Sequence, residues 1–202
     1  MGALPDKLMV SVEEYLQLDR SSAEVRYEYI DGHIRMLAGG TLDHATIAAN
    51  VISIMRNSLR GSSCRVFTSD ARVCVSETRY FYPDVSVSCD QRDRGQIDTI
   101  RYPRLVVEVL SPSTEGYDRG RKFAYYRECP TIQEYMIVDS QRQAVEVYWR
   151  AKNDLWTLHA FSSQSEVYLH SLDVHFPIAE VYEDVELPPE DDKLAPAEQP
   201  DH

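Results

Sequence analysis

No run of apolar residues in this sequence approaches the roughly 20 that a membrane-crossing helix needs. The N-terminus carries no basic stretch followed by an apolar core, so no secretory signal is expected. HExxH, GxxxxGK(S/T), GxSxG and Gly-rich dinucleotide patterns are all missing. Zinc proteases, P-loop NTPases, α/β-hydrolases and Rossmann dehydrogenases therefore have no support in the sequence. Cysteine is scarce: Cys64, Cys74, Cys89 and Cys129 are widely spaced and form no CxxC pair. That spacing argues against structural zinc. With no export signal, free thiols in a reducing, cytoplasmic setting are the expectation.

Positive charge is also in short supply. Lys and Arg number 21 against 33 Asp and Glu, a formal net charge of -12. Loose binding to nucleic acid relies on Lys and Arg against phosphate, and this balance argues against it. It leaves room for a nuclease, because a metal site needs acids and part of the excess lies in the C-terminal stretch. With 202 residues, 43% of them hydrophobic, the chain is long enough for one domain with a substantial core.

The pattern along the chain is mixed. Residues 1–10 read as a short arm. Residues 11–19 read as a helix, with Ser11 as N-cap and Glu14 completing a capping box. Residues 26–37 form a hairpin around Asp31-Gly32, the pair that supplies positive-φ turn positions. After Gly39-Gly40, apolar residues recur from Thr41 to Leu59 with helical spacing and define a broad buried stripe that includes Leu42. Strands are expected at 64–67, 72–75, 79–88, 104–110 and 134–139, with a surface loop over 90–101. A helix spans about 117–129, with Asp118 as a possible N-cap and Pro130 beyond its end. A hairpin follows at 144–150 and 155–161, and one further strand at 167–176. From residue 183 onward Pro, Glu and Asp dominate, which describes a disordered acidic tail. The resulting expectation is a single mixed α/β (α+β) domain over 1–182, with helices covering a central mixed sheet.

Two apolar runs each hold one acid. In the run from Phe81 to Ser88, Asp84 shares a face with Ser86 and Ser88, and Pro83 favours a strand start or edge. Taken alone, Asp84 reads equally well as a surface acid. In the run from Leu105 to Leu110, Glu108 is flanked by Val107 and Val109, so the strand looks buried on both faces. An acid there needs a partner, either an arginine or a cation. Two carboxylates in neighbouring strands suit one divalent metal. Lys122 and Asp118 lie four apart on the following helix, the spacing of an ordinary surface ion pair. The short turn after Glu108 allows that helix to fold back over the acid. Glu28, on a hairpin strand, is expected to be exposed, and His44 reads as a polar surface residue at a helix start.

Tyr82-Pro83-Asp84, the run from Leu105 to Thr114 that contains Glu108, the pattern Asp118-Arg119-x-x-Lys122-x-x-Tyr125-Tyr126, and the run from Glu134 to Asp139 together resemble the Uma-two family of predicted endonucleases, in the PD-(D/E)XK, restriction-endonuclease-like superfamily. Tyr27-Glu28 with Asp31-Gly32, and His44, resemble its N-terminal pattern. The resemblance covers about residues 10–180. It implies a restriction-endonuclease-like core with Mg²⁺ or Mn²⁺ held by Asp84 and Glu108. The superfamily signature puts a lysine two residues after the acid, where this chain has Leu110. Lys122 fits that role from the next helix, and Glu28 supplies a further acid. The expected activity is phosphodiester hydrolysis of nucleic acid, DNA first, by a homodimer. A non-catalytic binding or regulatory module on the same scaffold is the alternative, and a hydrolase of another phosphorylated substrate is the third.

Overall fold

The computed structural model describes residues 9–22, 25–37 and 39–189. Its elements run α1 (Val12–Ser21), β1 (Tyr27–Ile30), β2 (His33–Met36), α2 (Leu42–Ser58), β3 (Arg65–Thr68), β4 (Arg72–Ser76), β5 (Arg79–Phe81) and β6 (Val85–Ser88). Then come β7 (Thr99–Ile100), β8 (Leu105–Val109), α3 (Glu115–Tyr117), a π turn (Asp118–Lys122), α4 (Phe123–Glu128), β9 (Glu134–Val138), β10 (Ala144–Arg150), β11 (Trp156–Ser162), β12 (Glu166–Leu169), β13 (Val174–Pro177) and α5 (Ile178–Val181).

A six-stranded sheet of order β11-β10-β9-β8-β6-β3 forms the centre. Within it β8 and β9 are parallel, and the other pairs are antiparallel. A parallel neighbour needs a crossover, and the helical segment from Glu115 to Glu128 provides it. On one face α2 packs Ile47, Val51 and Met55 against Val85, Val87, Val107 and Val109. On the other face Val106, Leu110 and Ile137 meet Phe123 and Tyr126, together with Val73 and Phe81 from a second sheet. Burial on both faces explains the unbroken apolar run around Glu108. The second sheet has order β2-β1-β5-β4-β7 and carries α1 on its far side through Tyr15, Tyr29 and Tyr80. The expected mixed sheet with helical covers is present, and the second sheet is an addition to it.

Local chemistry sets several boundaries as read. Ser11 and Glu14 form the capping box of α1, and Asp31 and Gly32 take φ of 47° and 89° at the hairpin turn. Other expectations need correction. The single strand over 79–88 is two strands in different sheets, β5 and β6, because the chain crosses between sheets at Tyr82-Pro83-Asp84. Pro83 has no N–H for a ladder, which suits the break. The strand at 167–176 is the hairpin of β12 and β13, turning with Asp173 at φ 52°. The loop over 90–101 buries Asp93, which accepts from Ser88 Oγ at 2.5 Å and from the amides of Arg101 and Tyr102. Leu42, placed in the buried stripe of α2, is 88% exposed.

Cys64 and Cys89 form a disulfide, which corrects the expectation of free thiols for that pair. Arg65 pairs with Ser88, so the register of β3 and β6 sets these cysteines opposite each other. Cys74 and Cys129 are free and buried. The pairing removes the thiol argument for a reducing compartment. Among the described residues no helix is long and apolar enough to cross a membrane. Of the acidic stretch after residue 183, residues 190–202 lie outside the described ones, as do residues 1–8 of the arm. Before residue 190, Val185 and Leu187 pack against the core.

A buried ion pair anchors α1 to the second sheet. Arg72, 1% exposed, pairs with Asp19 and with Asp98 at 3.0 Å, and the Tyr82 hydroxyl donates to Asp19. Removing one member of such a pair leaves an uncompensated buried charge. Asp19→Ala is expected to lower the free energy of unfolding by about 3–5 kcal/mol in chemical denaturation. Arg20→Ala, which breaks the exposed pair with Asp98, is expected to change it by less than about 1 kcal/mol.

Candidate active site

The π turn (Asp118–Lys122) aims two charged side chains at the end of β8. Tyr135 holds this turn by donating to the Asp118 carbonyl at 3.2 Å. Asp118 is thus the first residue of the turn within a helix that began at Glu115, not an N-cap. Lys122 is 5% exposed. Its Nζ lies 2.8 Å from Glu108 Oε1, 3.0 Å from Glu28 Oε1 and 3.8 Å from Asp118 Oδ1. The four residues come from β8, β1 and the π turn. Tyr126 of α4 donates to Glu108 Oε1 at 2.7 Å.

Glu28 departs furthest from expectation. It is 1% exposed rather than solvated. The hairpin strand that carries it is covered because the second sheet packs toward the central one. Glu28 meets Lys122 as an ion pair, and its Oε2 is buried without a hydrogen-bond partner among the described residues.

Asp84 sits just before β6, at the strand end where it was expected. Asp84 directly precedes Val85, which pairs with Val107, the neighbour of Glu108. Asp84 Oδ2 accepts from the Val109 amide at 2.7 Å. His44 of α2 lies on the same oxygen, with Nε2 at 3.4 Å, and also 3.0 Å from the Val109 carbonyl. The reading of His44 as a surface residue is therefore corrected. Leu110, at the place of the signature lysine, is 3% exposed in the apolar cluster beneath α4.

Burial and charge compete here. Burial pushes the Glu108 carboxyl up to about 8; Lys122 opposes that shift, and Asp84 and Asp118 add to it. Burial likewise raises Asp118 against the pull of Lys122. Burial disfavours the Lys122 charge, but Glu108, Glu28 and Asp118 outweigh it and hold the ammonium well above its usual range. The hydrogen bond to Asp84 holds His44 above its usual value. Four carboxyl groups thus face one ammonium and one imidazole. Among the described residues no group of three or more His, Cys, Asp and Glu side chains is gathered as a metal cage. The ammonium takes the central place among Glu28, Glu108 and Asp118.

The sequence profile of the Uma2 family, described as "Putative restriction endonuclease", matches residues 12–179. The chain belongs to the Uma2 family. Two uncharacterized Synechocystis proteins are similar to it. One, slr1290, is 38% identical over 174 residues, covering 86% of this chain and 91% of its own. The other, sll1609, is 32% identical over 154 residues, covering 74% and 86%. A crystal structure from Anabaena variabilis, described as a "putative nuclease belonging to DUF820", superposes with a TM-score of 0.70 at 20% identity. It covers 86% of this chain and 98% of that one, which shows the shared fold. The Uma2 resemblance read from the motifs is borne out.

The raised Glu108 carboxyl has a consequence for stability. The unfolded chain releases this proton near 4.5, whereas the folded one keeps it until about 8. Between those values the folded state binds more protons, so stability falls as pH rises. In metal-free buffer, Glu108→Gln is expected to flatten this decline in urea denaturation from pH 5 to pH 8 (about the window set by the two values).

Proposed function

We propose that this chain is a metal-dependent endonuclease that hydrolyses phosphodiester bonds in DNA, working as a cytoplasmic homodimer. The observation that carries this reading is the excess of buried carboxyl groups around Lys122, including a Glu28 oxygen with no hydrogen-bond partner among the described residues. A divalent cation is the group that such a surplus accommodates. Mg²⁺ takes one or two protein carboxylates and fills its remaining positions with water and substrate phosphate. Asp84 and Glu108 fit that requirement, because the hydrogen bonds that orient them use Asp84 Oδ2 and Glu108 Oε1. Mg²⁺ or Mn²⁺, when bound, would polarise a phosphoryl oxygen and lower the pKa of a bound water.

The chain's own groups have distinct roles in this reading. Asp84 and Glu108 hold the ion from neighbouring strands. Lys122 orients the attacking water or offsets charge on the phosphorane-like transition state. Glu28 and Asp118 keep Lys122 charged and aimed, and Glu28 remains available as a further acid. The buried Leu110 leaves the lysine's role to the π turn. A two-fold assembly suits cleavage of both strands.

The net charge of -12 favours a second reading, a non-catalytic binding or regulatory module on the same scaffold. Metal linkage separates the two. At about 100 times its dissociation constant, Mg²⁺ is expected to stabilise the chain by about 2.7 kcal/mol, read as a rise in Tm. No rise in millimolar Mg²⁺ or Mn²⁺ favours the binding module. Asp84→Asn, Glu108→Gln and Lys122→Met are each expected to lower Mg²⁺-dependent DNA cleavage by roughly a hundred- to a thousand-fold, read on variants whose fold circular dichroism has verified. Undiminished cleavage by all three variants overturns the assignment.

A further inference from the structure

His44 opens α2 in a fixed pose. Thr41 caps the helix, its Oγ1 accepting from the His44 amide at 3.2 Å. The imidazole then reaches across to the end of β8, where Nε2 lies 3.0 Å from the Val109 carbonyl. The same nitrogen lies 3.4 Å from Asp84 Oδ2. Both neighbours are acceptors, so Nε2 carries the proton and donates between them. The Val109 amide donates to that same Asp84 oxygen at 2.7 Å. One residue of β8 and one imidazole therefore fix a single carboxylate oxygen from two sides.

A second observation concerns the seat of the ring. A Cβ placed on Gly40 would lie 2.8 Å from His44 Nδ1 and 3.0 Å from its Cγ. Gly39, one residue earlier, has nothing within 4 Å of the same position. The second glycine of the pair thus makes room for the imidazole, and the first does not.

We propose that His44 is a positioning residue for Asp84, that Gly40 is its seat, and that together they turn the Asp84 carboxylate so that Oδ1 faces the metal position. This rests on the reading of Asp84 as a metal ligand. Residues that orient a metal-binding group, without touching the ion, commonly alter affinity by 10–100-fold. His44 links the first turn of α2, the end of β8 and the start of β6, so its removal frees the carboxylate to rotate.

Four variants of the full chain test this: His44→Ala, His44→Gln, Gly40→Ala and Gly39→Ala. Two measurements apply: Mn²⁺ affinity, and hydrogen exchange at the Val109 amide without metal. His44→Ala and Gly40→Ala are expected to weaken Mn²⁺ binding by about ten- to a hundred-fold and to speed Val109 exchange. Gly39→Ala is expected to match the parent. His44→Gln, which retains an N–H donor, is expected to recover part of the loss. Parent-like exchange at Val109 in both His44→Ala and Gly40→Ala overturns the proposal, as does unchanged Mn²⁺ affinity in both. A parent chain that binds no Mn²⁺ overturns the metal reading, and with it the claim about Oδ1. Val109 exchange then still decides whether His44 and Gly40 hold Asp84.

Discussion

The buried ammonium of Lys122 is the constraint to which the rest of the structure answers. An ammonium in an apolar layer persists only with carboxylates close around it. Glu28, Glu108 and Asp118 provide them from separate parts of the chain. The second sheet, the central strand and the π turn must therefore meet at one point. The apolar packing of Phe81, Phe123 and Tyr126 around that point sets the low-polarity surroundings. The same surroundings make the charge surplus matter, because screening by water is weak there.

The sequence carried much of this in local form. Asp31-Gly32 marks its hairpin, and Ser11 with Glu14 marks a helix start, because turn and cap chemistry acts over three or four residues. Glu108 stood out because an acid inside an unbroken apolar strand contradicts its surroundings. Glu28 did not, because its strand alternates like any half-exposed one and its cover arrives from a distant sheet. His44 was hidden for a related reason. Its partners, Val109 and Asp84, are 65 and 40 positions away. Gly39-Gly40 was readable as a break, yet only contact geometry distinguishes the roles of the two glycines.

The pairing of Cys64 with Cys89 and that of Asp19 with Arg72 follow the same logic. Strand register decides the first and helix docking the second, and neither leaves a periodic trace. The π turn is also invisible to periodicity, since the residues around it still read as one helix. Such turns recur at functional sites. Here the turn spans Asp118 to Lys122 and so contains both of the side chains that this segment adds to the cluster.

The crossing at Tyr82-Pro83-Asp84 joins two sheets by three residues with both ends fastened. Tyr82 is tied through its hydroxyl to Asp19 and so to the first helix, and Asp84 is tied to the Val109 amide. Proline in the middle restricts the backbone between them. This short strut has little slack, so the placement of the acid at its far end depends on how α1 and the second sheet are docked. The N-terminal helix, which contributes no side chain to the charged cluster, thereby has leverage over it.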